Sequence, residues 1–175
     1  LYALSGIFVA ASVGTIGLYE YLIGDWFTAS VAGVMMIGTS FLFVAVATYI
    51  VGLVGSSNSP VSGMTICALL LTAGVLMGLG IKGDSAILAT LGVAGVVCCA
   101  ACTSGDIAQD LKTGQLVGAT PARQQWVQIL SVIVPAFALA PVMSLLHETY
   151  GIGEGLRAPQ ATLFANLTMA FFGDG

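Results

Sequence analysis

The chain of 175 residues is 58% hydrophobic and only 7% charged, with a mean hydropathy of +1.03. That balance excludes an ordinary water-soluble domain and belongs to polytopic membrane proteins, whose solvent is the bilayer. The formal net charge of −4 comes from eight acids and four bases scattered over short connections, with no basic run and no interleaved aromatic stripe, so no nucleic-acid partner is expected.

A helix that crosses the hydrocarbon needs roughly 20 apolar residues, because the core is about 30 Å thick and holds no water for unpaired peptide groups. Leu1–Tyr19 is the first such stretch, and Glu20-Tyr-Leu-Ile-Gly-Asp25 joins it to the second, Phe27–Leu53. Tyr19, Tyr21, Trp26 and Phe27 cluster around this connection, where an aromatic belt is expected. Between Asp25 and Lys82 the sequence carries no charged side chain, yet a polar knot, Gly55-Ser-Ser-Asn-Ser-Pro-Val-Ser-Gly63, interrupts the run. Two spans joined by a special connection satisfy both facts, the second of them being Met64–Ile81. The tight turn Lys82-Gly-Asp84 then leaves Met64–Ile81 and Ser85–Ser104 as an antiparallel hairpin, and Trp126–Leu146 is the fifth span. Ala161–Phe172 is too short for a crossing and reads as a re-entrant segment or a truncated helix.

The expected fold is therefore all-α: a polytopic transmembrane helix bundle of about five spans plus a sixth segment. Residues 1–175 form part of one transmembrane domain, with polar connections near 55–63, 105–125 and 147–160. Glycines spaced as in Gly74-Val-Leu-Met-Gly78 let membrane helices approach closely, which argues for dense packing. Lys82 and Arg157 fall on one side and Lys112 and Arg123 on the other, so the positive-inside rule does not orient the bundle. The apolar start at Leu1 and the end at Phe171-Phe-Gly-Asp-Gly175 give the sequence the look of an internal fragment.

Three polar segments carry chemistry. Pro60 and its flanking hydroxyls cannot lie in lipid as regular helix, since proline removes a donor and serine and asparagine side chains compete for the backbone. Transporters and channels place such broken backbone at a solute site; the alternative is a solvated loop between spans. Asn58, Ser59, Pro60, Ser62 and Gly63 are the pathway candidates. In the segment after Ser104, a helical register puts Asp106, Gln109, Asp110 and Thr113 on one face, with Cys102, Cys99, Gly95 and Gly92 continuing it backwards. Such a stripe either lines an aqueous route where acids meet cations or protons, or is a membrane helix ending in a solvated turn with Gly114 as its C-cap and Thr120-Pro121 as a turn. His147-Glu148 is a possible proton relay, though a cap and a loop explain it as well. Pro135 and Pro141 are expected to kink the fifth span. Cys67, Cys98, Cys99 and Cys102 sit in apolar runs and read first as packing thiols, without zinc spacing; no metal or cofactor is expected. No phosphate loop, H-E-x-x-H or Gly-x-Ser-x-Gly is present, and no catalytic residue is assigned.

Three stretches resemble the oligopeptide transporter family, which includes the yellow-stripe-like metal-chelate carriers. They are Gly52-Leu-Val-Gly-Ser-Ser-Asn-Ser-Pro-Val-Ser-Gly-Met64, the run from Thr103-Ser-Gly-Asp-Ile-Ala-Gln-Asp-Leu-Lys112 to Pro121 with Gln124-Gln125, and Ala158-Pro-Gln-Ala161. Ala122 departs from the family pattern, which has a second base beside Arg123. The resemblance is nearest to prokaryotic members. It implies a protein several times longer, in the cytoplasmic membrane, that moves short peptides or metal chelates with a proton gradient. It also implies that Asn58, Ser59, Pro60 and Ser62 lie near the route and that Asp106, Gln109, Asp110 and Lys112 form a gate or cation-coupling element. Expected partners are a small peptide or metal-chelate solute, protons, the lipid bilayer and the remaining helices of the full-length protein. A passive channel, or a membrane enzyme using Cys98–Cys102, are the other classes this composition admits.

Overall fold

Each apolar stretch satisfies its own backbone as helix, and the computed structural model, which describes residues 2–153 and 155–173, contains six. They are α1 (Tyr2–Ile23), α2 (Trp26–Val54), α3 (Val61–Gly78), α4 (Asp84–Val117), α5 (Pro121–Tyr150) and α6 (Pro159–Phe172), with no β-strand among the described residues. Within the described residues α2, α3, α4 and α5 are long and apolar enough to cross a membrane, and α1 adds 22 residues of similar character. The all-α bundle expected from the sequence is the observed fold. At 14 residues, or about 21 Å at 1.5 Å per residue, α6 does not reach across a bilayer core of about 30 Å.

The helices pack through small side chains. Ala29, Ala32, Ala47, Ala68, Ala73, Ala86, Ala89 and Ala101 are fully buried where α2, α3 and α4 meet. Buried threonines return their hydroxyls to their own helices, Thr72 Oγ1 to the Ala68 carbonyl at 2.8 Å and Thr65 Oγ1 to the Val61 carbonyl at 2.8 Å. A bilayer offers them nothing better. Close approach is also made at Gly33 under Ile16, Gly92 under Tyr19 and Gly105 under Val51. The Gly74–Gly78 spacing that pointed to tight packing is not used in this way, because both positions face open space.

Tyr19 departs from the belt expected of it. Its ring is buried against the Gly92 backbone, while Tyr21, Trp26 and Phe27 stay exposed. A glycine opposite gave the ring a place that no aliphatic neighbour would have left.

Asp25 sets the start of α2. Its carboxylate accepts from the Thr28 hydroxyl, from the Thr28 backbone N–H at 3.1 Å and from the Phe27 N–H at 3.2 Å, a complete N-cap. The Thr28 hydroxyl, followed by the backbone bonds, holds the carboxyl below its ordinary 3.8. A depressed folded-state value means that the cap's stabilisation is whole above the unfolded-state value and disappears as pH falls through the folded one. Asp25→Ala is thus expected to lower the thermal midpoint in detergent near neutral pH. The gap from the parent should narrow as pH falls below the ordinary carboxyl value of 3.8; a gap that ignores pH would show that the carboxylate is not the cap.

Two features distinguish the α4–α5 half. With 34 residues α4 is about 51 Å long, so it outruns the hydrocarbon. It does not stop at Gly114: that glycine is buried inside the helix beneath Gln124, and the C-cap is Gly118, whose φ of 78° and ψ of 21° suit only a residue without Cβ strain. Thr120 and Pro121, rather than forming a free turn, are the N-cap and first residue of α5. Among the described residues α5 packs against α4 alone and has no buried residue. It remains helical through Pro135 and Pro141, each of which withholds one backbone donor.

Candidate functional site

Two of the three polar segments, the turn after α2 and the extension of α4, meet at one end of the bundle. There α2 ends at Val54, and Gly55 turns the chain with φ of 86° and ψ of 161°, a conformation that favours glycine. One 3₁₀ turn, Ser56–Asn58, follows, and α3 begins at Val61. Since α2 and α3 pack on each other, this is a tight interhelical hairpin turn. The break expected at Asn58, Ser59 and Pro60 is present, whereas Ser62 and Gly63 belong to the first turn of α3. Asn58 Nδ2 donates to the Val54 carbonyl at 3.1 Å, so its side chain closes the end of α2. Ser59 Oγ is shielded from solvent without a hydrogen-bond partner among the described residues. The negative end of the α2 dipole and the positive end of the α3 dipole meet across these few residues.

The polar extension of α4 stands beside this turn. Gly105 packs against Val51, which sets residue 105 level with the end of α2, and Gln109 Nε2 lies 3.7 Å from the position of a Cβ on Gly55. The four gate candidates do not share one surface. Gln109 and Lys112 line a cleft of about 460 Å³ with Val51, Gly52, Ala108 and Thr113, on the side of α2. Lys112 Nζ donates to Gln115 Oε1 at 3.2 Å. Asp106 and Asp110 instead face α5 across an open cleft of about 600 Å³, together with Thr103, Gln125, Gln128 and Ser131. The stripe continues up α4 through the exposed Cys102, Cys99 and Gly95, but Tyr19 covers Gly92.

Two glutamines tie α5 to Asp110. Gln128 Nε2 donates to its Oδ2 and Gln124 Nε2 to its backbone carbonyl, both at 3.1 Å. Arg123 lines the neighbouring cleft with Asp110 and Thr113, placing a cation close to the acid. Neither Gln124 nor Gln128 stood out as a functional residue in the sequence. Their spacing of four, which puts both on one face of a helix, was the available signal.

The His147-Glu148 pair is not brought to this end. It lies 19 residues along α5 from Gln128, about 29 Å at 1.5 Å per residue. His147 Nδ1 accepts from the Ile152 N–H at 3.4 Å, a loop-closing contact. The cysteines are free, with Cys67, Cys99 and Cys102 exposed on helix surfaces.

The family model for the OPT oligopeptide transporter protein matches residues 1–175. The chain belongs to the OPT oligopeptide transporter family. A curated protein of Haemophilus influenzae named "Putative oligopeptide transporter" is 38% identical, over 75% of this chain and 24% of its own length. The chain thus spans about a quarter of the relative it matches. No solved structure matches it. Membership accounts for the apolar helices of an integral, multi-pass membrane protein.

Proposed function

We propose that the full-length protein is a secondary active, proton-coupled transporter of oligopeptides in the cytoplasmic membrane of a prokaryote. The observation that carries this reading is the pair Asp106 and Asp110 in the cleft between α4 and α5, where α5 has no other neighbour among the described residues. Acids at the end of a membrane helix are costly unless they meet cations, protons or water, and a helix held at one end is free to change its contacts. The turn at Asn58–Pro60 supplies partial charges of both signs from opposed helix ends, a match for a zwitterionic peptide. In this reading Asn58, Ser59, Pro60, Ser62 and Gly63 border the route. Asp106 and Asp110 couple to cations, while Gln109 and Lys112 join that gate to the turn.

Uptake by the full-length protein in proteoliposomes tests the proposal, with labelled tri- to pentapeptides and an iron chelate offered in parallel, with and without an inward proton gradient. Gradient-dependent accumulation of peptide is expected. Accumulation of chelate alone would move the protein to the metal-chelate branch of the family, and equilibration that ignores the gradient would make it a channel. Loss of function on thiol alkylation without any transport would favour an enzyme using Cys98–Cys102.

Asn58→Ala removes the bond to the Val54 carbonyl. A hydrogen bond of this kind is worth about 1 kcal/mol, which corresponds to roughly a fivefold change in rate. Uptake is expected to fall by about that factor while detergent-solubilised protein elutes normally. Normal uptake by a folded variant would remove Asn58 from the route.

A further inference from the structure

A second cleft lies away from the polar end. It occupies about 600 Å³ between α1, α2 and α4 and is lined by small or apolar side chains, among them Ala11, Gly38, Phe41, Val44 and Ala100. Gly38 presents open space where a Cβ would stand, and Phe41 is 79% exposed beside it. The cleft sits near the middle of α2, at hydrocarbon depth. Ser40, on its wall, has a hydroxyl that is shielded from water and has no partner among the described residues. Thr15, on the opposite wall, donates its own hydroxyl to the Ala11 carbonyl at 2.6 Å.

We infer that this groove seats a transmembrane helix of the same polypeptide from outside these 175 residues, with Ser40 hydrogen-bonded to it. Three observations select that occupant. Small residues on both walls admit a helix backbone at close range, the usual form of helix association in lipid. An acyl chain would fill the volume but has no acceptor for Ser40, whereas an incoming helix can present one. The matched stretch is 24% of the relative's length, so most of a family member of that size lies outside it. A segment tethered in the same chain outcompetes a second copy through its effective concentration. The inference concerns assembly and holds whatever the solute.

A benzophenone amino acid in place of Phe41, and separately Val44, reads the occupant in the full-length protein. Both are groove side chains large enough to be replaced without opening the core. After irradiation in native membranes, the cross-linked peptides are mapped by mass spectrometry. Both probes are expected to reach one segment outside these residues, at sites within about seven positions of each other, since residues 41 and 44 are less than one helical turn apart. Adducts with lipid alone, a cross-linked dimer, or attachment only within the 175 residues would overturn the inference. Two probes reaching unrelated segments would overturn it as well. In the Phe41 probe protein, adding Gly38→Leu is expected to lower the cross-link yield at least about fivefold by filling the groove; an unchanged yield would show that nothing enters there.

Discussion

Asp110→Asn in the full-length protein is expected to abolish gradient-driven accumulation while leaving α5 in place. An asparagine Oδ1 still accepts the Gln128 amide where Asp110 Oδ2 does now, and the Asp110 backbone carbonyl still takes Gln124. What disappears is the charge, and with it any charge-assisted bond to a proton or a peptide amine in the α4–α5 cleft. Accumulation should fall by roughly tenfold or more, the consequence of losing about 1.4 kcal/mol or more at the limiting step. Exchange of labelled against unlabelled peptide, which needs no net proton movement, should persist. Gln128→Ala is the complementary variant: it keeps the charge and loosens the clamp, so it should slow uptake without removing its dependence on the gradient. Undiminished gradient-driven uptake by Asp110→Asn would confine Asp110 to a structural role. Arg123, beside it in the adjoining cleft, gives the control for mere local charge. Arg123→Gln should shift the apparent solute affinity and leave coupling intact.

The helices were legible because lipid enforces a simple code: a long apolar run must become helix, and Gly55 and Pro60 mark where the run breaks. The extent of α4 was only partly legible. Asp106, Gln109 and Asp110 fit a helical register, but Gly114 reads as a stop signal when neighbours are invisible. In the fold it is retained within the helix because Gln124 of α5 lies across it. The division of the four gate candidates between two clefts was hidden for a related reason. A helical face spans a wide arc, and which part of it meets α2 or α5 depends on where those helices stand. Tyr19 illustrates the same limit: an aromatic beside a polar connection suits a membrane belt, and only the glycine on another helix draws it inside. The resemblance to a family found the two long polar motifs, yet the glutamines that hold Asp110 lie partly outside them and gain meaning only across the α4–α5 elbow.

Gly105→Leu is expected to damage the assembled bundle at the joint beneath its polar end. Gly105 is buried where α4 passes the end of α2, and a Cβ there would stand 2.9 Å from Val51 Cγ2. Val51 is only 4% exposed and β-branched, so it has little freedom to swing aside. Even alanine at 105 requires α2 and α4 to part slightly, and leucine adds three more carbons to the same space. Overpacking of a tight contact costs typically about 1–3 kcal/mol, enough to lower the thermal midpoint in detergent by several degrees and to reduce the yield of monodisperse protein. The damage also has a functional direction. Prising α4 from α2 draws Gln109 away from Gly55 and separates the polar extension from the turn at Asn58, so uptake per folded molecule should fall as well. Gly114→Ala offers the contrast, because its new methyl meets only the flexible tip of Gln124. That variant should fold nearly as well as the parent and lose uptake through the displaced clamp on Asp110. Equal thermal midpoints for Gly105→Leu and Gly114→Ala would show that the α2–α4 contact is not the tight joint on which the polar end is built.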